Sequence, residues 1–163
     1  MLASKMLPRQ SVYLIDTDVI SELRKKEKAN RGVAAFFAEV AGSDAPLFLA
    51  AVTIGELRRG VELIRHRGDG RQAAVLERWL GKLLVDFSDN VLPFDSDMAQ
   101  LWGRLRVPNP ENPLDKQVAA TALIHDLVLV TRNVKHFTGT GVKIINPFVP
   151  SNQTELGRLL PTL

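Results

Sequence analysis

Cysteine is absent from this chain, which rules out disulfides, thiolate nucleophiles and cysteine-based zinc sites. Histidine is nearly as scarce. His66, His125 and His136 are too scattered along the sequence to suggest an imidazole metal site. Any metal would therefore be held mainly by oxygen, the ligand chemistry of Mg²⁺ or Mn²⁺. No stretch approaches the ~18 consecutive apolar residues of a membrane span. The opening segment "MLASKMLPRQ" is too short and too weakly apolar to read as a signal peptide. Internal repeats, low-complexity tracts and linker-like segments are missing as well. Together these absences lead us to expect a soluble, cytoplasmic protein.

What is present suffices for one folded domain. The chain has 163 residues, 45% of them hydrophobic, and a mean hydropathy of +0.01. That length suits a single domain with a sizeable core. Residues 1–10 read as a loose N-terminal extension, with Met6 an alternative start, and 149–163 as a proline-bearing C-terminal tail. The net charge is +3 and the isoelectric point about 9.4. The basic residues concentrate in "RKKEK" (24–28) and "RRGVELIRHRGDGR" (58–71). Each cluster is equally consistent with a solvated helix face and with attraction to a polyanion such as RNA or DNA.

Short apolar runs alternate with longer amphipathic patterns. "VYLI" (12–15), "LFLA" (47–50), "LVLV" (127–130) and "VKII" (142–145) read as buried strands. "VLPF" (91–94) reads as a weaker strand, because Pro93 lacks a donor and favours an edge. Helices are expected at about 18–25, 31–41, 53–67, 71–85, 95–106 and 114–125, punctuated by Gly68, Gly70, Gly81, Pro108, Pro110 and Pro113. Such alternation implies an α/β fold with a parallel sheet of about five strands and helices on its faces. Ligands of open α/β sheets bind beyond the carboxyl ends of the strands, so acids at strand exits are the candidates for chemistry.

Taken singly, each candidate has an ordinary explanation. Asp16 ends the first strand and can help Thr17 or Asp18 cap the next helix. Thr53 and Glu56 have the T-x-x-E spacing of a capping box. Asn112 looks like an N-cap, with Pro113 in the first helical position and Asp115 three residues after the cap. Asn133 follows a strand, as asparagine commonly does in turns. The combination carries more information than its members. Asp16, Glu56, Asp115 and Asn133 all fall at carboxyl ends of strands or in first helical turns. Three carboxylates gathered there would repel one another, and a divalent cation would relieve that repulsion. Such a cluster beside a basic surface suits metal-assisted cleavage of a phosphodiester.

At these residues the sequence resembles the PIN-domain ribonucleases of the VapC/FitB toxin type. The matching blocks are "YLIDTDVISELR", "LAAVTIGELRRGVELI", "VLPFDSDMAQLWGRLR", "LDKQVAATALIHDLVLVTRNVKHF" and "VKIINPF", in order over residues 12–148. The resemblance implies a PIN-like fold filling the whole chain as one domain. It matches Asp16, Glu56, Asp115 and Asn133 to the four catalytic positions of the family. Asp16 and Asp115 would be the metal ligands, and Glu56 would complete the acidic cluster. It further implies Mg²⁺ (or Mn²⁺) as cofactor, water-driven endoribonuclease cleavage leaving a 5′-phosphate and a 3′-hydroxyl, and a homodimer. A cognate antitoxin would neutralise the enzyme and supply contact with operator DNA. The sequence departs from the family pattern at three residue positions. Asn133 stands where some relatives carry Asp, and His136 where many carry an acid. Asp18 often aligns with Asn and would add outer-shell charge. Arg58 and Arg59, nearest to Glu56, would either meet RNA phosphates or coat the helix.

Three other readings were weighed. A haloacid-dehalogenase-like phosphatase shares D-x-D after its first strand, but Ile20 and the lack of a matching helix-borne Lys count against it. A receiver-like signalling domain would use Thr131, yet no Lys–Pro appears at the last strand and no acceptor Asp follows the third. A catalytically inactive PIN-fold binding module would not need Asp16, Glu56 and Asp115 together.

Overall fold

The five apolar runs form one parallel sheet, three of them at its centre and two at its edges. The computed structural model describes residues 10–149. Apart from Gln10 and Val149, the expected N-terminal extension and C-terminal tail lie outside the described residues. The strands are β1 (Tyr13–Ile15), β2 (Leu47–Ala50), β3 (Val91–Leu92), β4 (Val128–Val130) and β5 (Ile144–Ile145). Their order is β3-β2-β1-β4-β5, and every neighbouring pair is parallel. The strand with Pro93 at its exit lies at an edge, where a missing donor breaks no ladder.

The helices are α1 (Thr17–Glu22), α2 (Arg31–Ser43), α3 (Ala51–His66), α4 (Gly70–Asp86), α5 (Ser96–Leu105) and α6 (Pro113–Ile124). Alternation along the strands sends side chains to two cores. Ile15, Leu49 and Val130 face one core with Val19, Ile20, Val33, Leu57, Val61, Leu76 and Leu80. Leu14, Ala50 and Leu129 face the other with Val118, Ala119, Ala122 and Phe137. Each fully buried aliphatic residue contributes roughly 1.5–3 kcal/mol of transfer free energy. The two faces therefore hold the strand exits in register.

Several local expectations are corrected. The helix expected over 18–25 stops at Glu22 and passes into a 3₁₀ segment, Leu23–Lys28. Glu22 is buried and its carboxylate accepts from Lys25 Nζ at 2.6 Å and from the Asn30 backbone N–H at 3.2 Å. Lys26 takes a positive φ of 53° inside that segment, so the α-helical ladder cannot continue. Gly81 does not punctuate anything: it lies within α4. Thr53 and Glu56 do not form a capping box. β2 runs straight into α3, which starts at Ala51 with Ala50 at the cap position, and the Thr53 hydroxyl is buried with no hydrogen-bond partner among the described residues. Asn112 occupies the cap position of α6 in a left-handed conformation, and its side chain makes no capping hydrogen bond. Pro113 and Asp115 lie in the first turn as expected.

Candidate active site

The chain leaves β1 for β2 and β3 on one side, and returns to β4 and β5 on the other. The sheet order thus reverses between β1 and β4, and the crevice outside their carboxyl ends is where an open α/β sheet binds ligands. Asp16 stands at that point. It is itself the N-cap of α1, in place of the expected Thr17 or Asp18, and accepts from the Thr17 backbone N–H at 2.8 Å. Its other oxygen, Oδ2, accepts from the Thr131 hydroxyl at 2.8 Å, across the switch point from the exit of β4. Thr131 Oγ1 in turn accepts from the Asn133 backbone N–H at 3.0 Å. Asp16 and Thr131 are both buried.

A cavity of about 270 Å³ opens beside them, lined by Asp16, Asp18, Thr53, Glu56, Asp115 and Asn133, with Ser21 at one side. The structure thus brings all four candidate positions to one pocket, although Asp16 and Asn133 are far apart in sequence. Burial, and then the charge of Asp18, push the Asp16 carboxyl up from an ordinary 3.8 to about 6. The bonds from Thr131 and Thr17 pull the other way, and Asp115 adds a smaller upward push. Asp18 is also raised, mainly by burial, against the lowering effect of its bond from the Arg132 backbone N–H at 3.0 Å. Its Oδ1 is buried and has no hydrogen-bond partner among the described residues.

Among the described residues, no three acidic or imidazole side chains already converge as a chelating group. Asp115 Oδ2 lies 2.7 Å from His136 Nδ1. A carboxylate has no proton to give, so His136 presents Nδ1–H to it and turns Nε2 outward. The donor set nevertheless fits a hard divalent cation. Every candidate ligand is an oxygen, the carboxylates are close enough to disturb one another's ionisation, and two buried oxygens of the same pocket, Asp18 Oδ1 and Thr53 Oγ1, have no partner among the described residues. Asp16 and Asp115, with Glu56 and Asp18 nearby, could hold such an ion.

Three participants escaped the reading of the sequence. Thr131 holds Asp16, His136 holds Asp115, and the Arg132 backbone holds Asp18. The sequence signals for them were their place in "VTRNVKHF", directly after a strand, and the family's acid position at His136. Arg58 resolves toward the structural alternative. Its Nη1 donates to both oxygens of Glu77, at 2.7 and 2.9 Å, tying α3 to α4.

Residues 13–140 match the family model described as the PIN domain. The chain is 31% identical over 146 residues to the VapC ribonuclease Y4jK of Sinorhizobium fredii, covering 86% of this chain and all of that protein. It is 33% identical to the toxin FitB of Neisseria gonorrhoeae, covering 84% of this chain and 99% of the relative. Among solved structures, FitAcB from Neisseria gonorrhoeae superposes with a TM-score of 0.74 at 31% identity, over 85% of this chain and 100% of that one. FitAB bound to an IR36 DNA fragment gives 0.73 at 28% identity, over 86% and 98%.

Proposed function

This chain belongs to the PIN-domain family, and on that premise we propose that it is the toxin of a toxin–antitoxin pair, a Mg²⁺- or Mn²⁺-dependent endoribonuclease. The observation that carries the proposal is the single pocket at the sheet's switch point, which gathers Asp16, Glu56, Asp115 and Asn133 from four separate segments. Asp16 and Asp115 would hold the ion, with Glu56 completing the acidic wall. When bound, the ion supplies Lewis acidity toward a phosphate and toward water.

The chain's own residues set the stage for that chemistry. Thr17 and Thr131 fix both oxygens of Asp16, so the carboxylate meets its ligand in one orientation. Burial, and then the charge of Asp18, raise the Asp16 carboxyl, and a cation or a proton would both offset that cost. His136 restrains Asp115 through Nδ1. Asn133 places an uncharged amide where a fourth carboxylate would otherwise repel an approaching phosphate. Glu56, half-buried on the first part of α3, faces the same space.

By analogy with the FitAB and FitAcB structures and with the VapC and FitB names of its relatives, the partner is a cognate antitoxin that blocks this pocket and carries any contact with operator DNA. A homodimer is part of the same proposal, tested by light scattering of the isolated chain. Expression alone is expected to arrest growth, with relief when the adjacent small gene product is co-expressed. Products from purified RNA are expected to end in 5′-phosphate and 3′-hydroxyl. Normal growth under strong expression, or cyclic phosphate ends on the products, would count against the proposal.

A further inference from the structure

A second cavity of about 390 Å³ adjoins the acidic pocket and shares Thr17, Ser21 and Glu56 with it. Its character is different. Leu57, Val61, Ile64 and Leu76 give it an apolar floor between α3 and α4, and the half-buried indole of Trp79 forms one wall. Arg24 and Arg67 stand at its rim.

Those two arginines come from the two basic clusters of the sequence, 24–28 and 58–71, which the fold brings to one groove. Within the clusters three cations are internally neutralised. Lys25 is paired with Glu22, and Arg58 and Arg65 are paired with Glu62 and Glu77. Arg24 and Arg67 are exposed and form no ion pair among the described residues. A groove with an aromatic wall, an apolar floor and two uncompensated cations at its rim suits a ligand whose flat apolar rings alternate with anions. Single-stranded nucleic acid has that chemistry, and bases stack on aromatic side chains while Arg takes the phosphates. The volume lies within the usual range of small-ligand sites.

We propose that this groove seats the unpaired nucleotides next to the phosphodiester to be cut, with a base against Trp79 and phosphates on Arg24 and Arg67. The inference rests on the ribonuclease reading, but the seating can be tested without cleavage. In an Asp115→Asn background, an unstructured oligoribonucleotide is titrated while tryptophan fluorescence is followed. Quenching should persist in Trp102→Phe and vanish in Trp79→Phe, which keeps an aromatic ring but loses the signal. Arg24→Ala/Arg67→Ala, both at exposed positions, should weaken binding by about tenfold or more. The same pair should flatten the dependence of log affinity on log salt by about 1.4, for two lost single-strand phosphate contacts.

Wild-type affinity and salt dependence in the double variant would overturn the proposal, as would quenching that survives Trp79→Phe. It would also be overturned if the double variant kept its RNA affinity but no longer held the co-expressed antitoxin, because the groove would then belong to that protein. If RNA bound in the expected way but the wild-type chain with Mg²⁺ left it intact, the seating would stand and the ribonuclease reading would fall.

Discussion

Replacing Asp16 with asparagine should make the metal-free protein more stable at pH 8 while abolishing its activity. Burial and neighbouring acids raise the folded-state pKa of Asp16 from 3.8 to about 6. A group raised in the fold contributes stability that is complete below its unfolded pKa and is lost as pH climbs through the folded one. Its ionised form therefore lowers stability increasingly between about pH 4 and 6, and fully above about pH 7. About two pKa units correspond to about 3 kcal/mol at high pH. Asparagine removes that charge and can keep the geometry. Its carbonyl can accept from the Thr17 N–H, and its amide can donate to Thr131 Oγ1, which already accepts from the Asn133 N–H. The Thr131 hydroxyl proton then loses its acceptor, costing about 1 kcal/mol. The net gain is about 2 kcal/mol at pH 8, or roughly 4–8 °C in Tm for a chain of this size. At pH 4 the carboxyl of the wild type is protonated in the fold, and the advantage should disappear or reverse by about 1 kcal/mol. Urea denaturation in EDTA at both pH values reads this directly. A substituted protein less stable than wild type at pH 8, or a difference independent of pH, would refute the reasoning.

Other substitutions probe the supports around the site. Thr131→Val removes the donor to Asp16 Oδ2 at a buried position and should cost about 1–3 kcal/mol by denaturation, with weaker Mg²⁺ binding by calorimetry. Arg58→Ala breaks the link from α3 to α4, but the pair is about two-fifths exposed, so the loss should stay below about 1 kcal/mol and RNA cleavage should be unchanged. Gly32→Ala would place a Cβ 1.9 Å from the Pro147 carbonyl oxygen, so the α2 start or the chain after β5 must shift. A stability loss of about 1–3 kcal/mol is expected by thermal melting.

Much of the fold was legible because its signals are local. "LFLA" is a strand over the same four residues that its apolar run marks, and Pro93 marks β3 as an edge. Leu57, Val61 and Ile64 repeat at helical spacing and face one core. The same local rules failed where a neighbouring element intervened. T-x-x-E spacing at Thr53 suggests a helix start, but β2 turns into α3 without a linking residue and carries Thr53 inside the first turn. Glu22 looks like one more helical acid, yet its carboxylate accepts from the Asn30 N–H beyond the helix end. At the site, acid identities and their order were readable, and the sheet brings them together at its switch point. The contacts that orient them were not. Thr131 reaches Asp16 across 115 positions, and His136 reaches Asp115 across 21. No spacing rule links residues so far apart. The convergence of Arg24 and Arg67 on one groove likewise depends on how α1 and the segment after it lie against α3 and α4.

The most direct test of the central claim is an RNA-cleavage assay with Mg²⁺, comparing the wild type with Asp16→Ala and Asp115→Ala, each with and without EDTA. The account predicts cleavage by the wild type alone, its loss in EDTA and recovery on adding Mg²⁺ or Mn²⁺. Both variants should be reduced by at least about 100-fold. Cleavage that survives EDTA, or that persists in either variant, would contradict a metal-dependent site built on these two carboxylates.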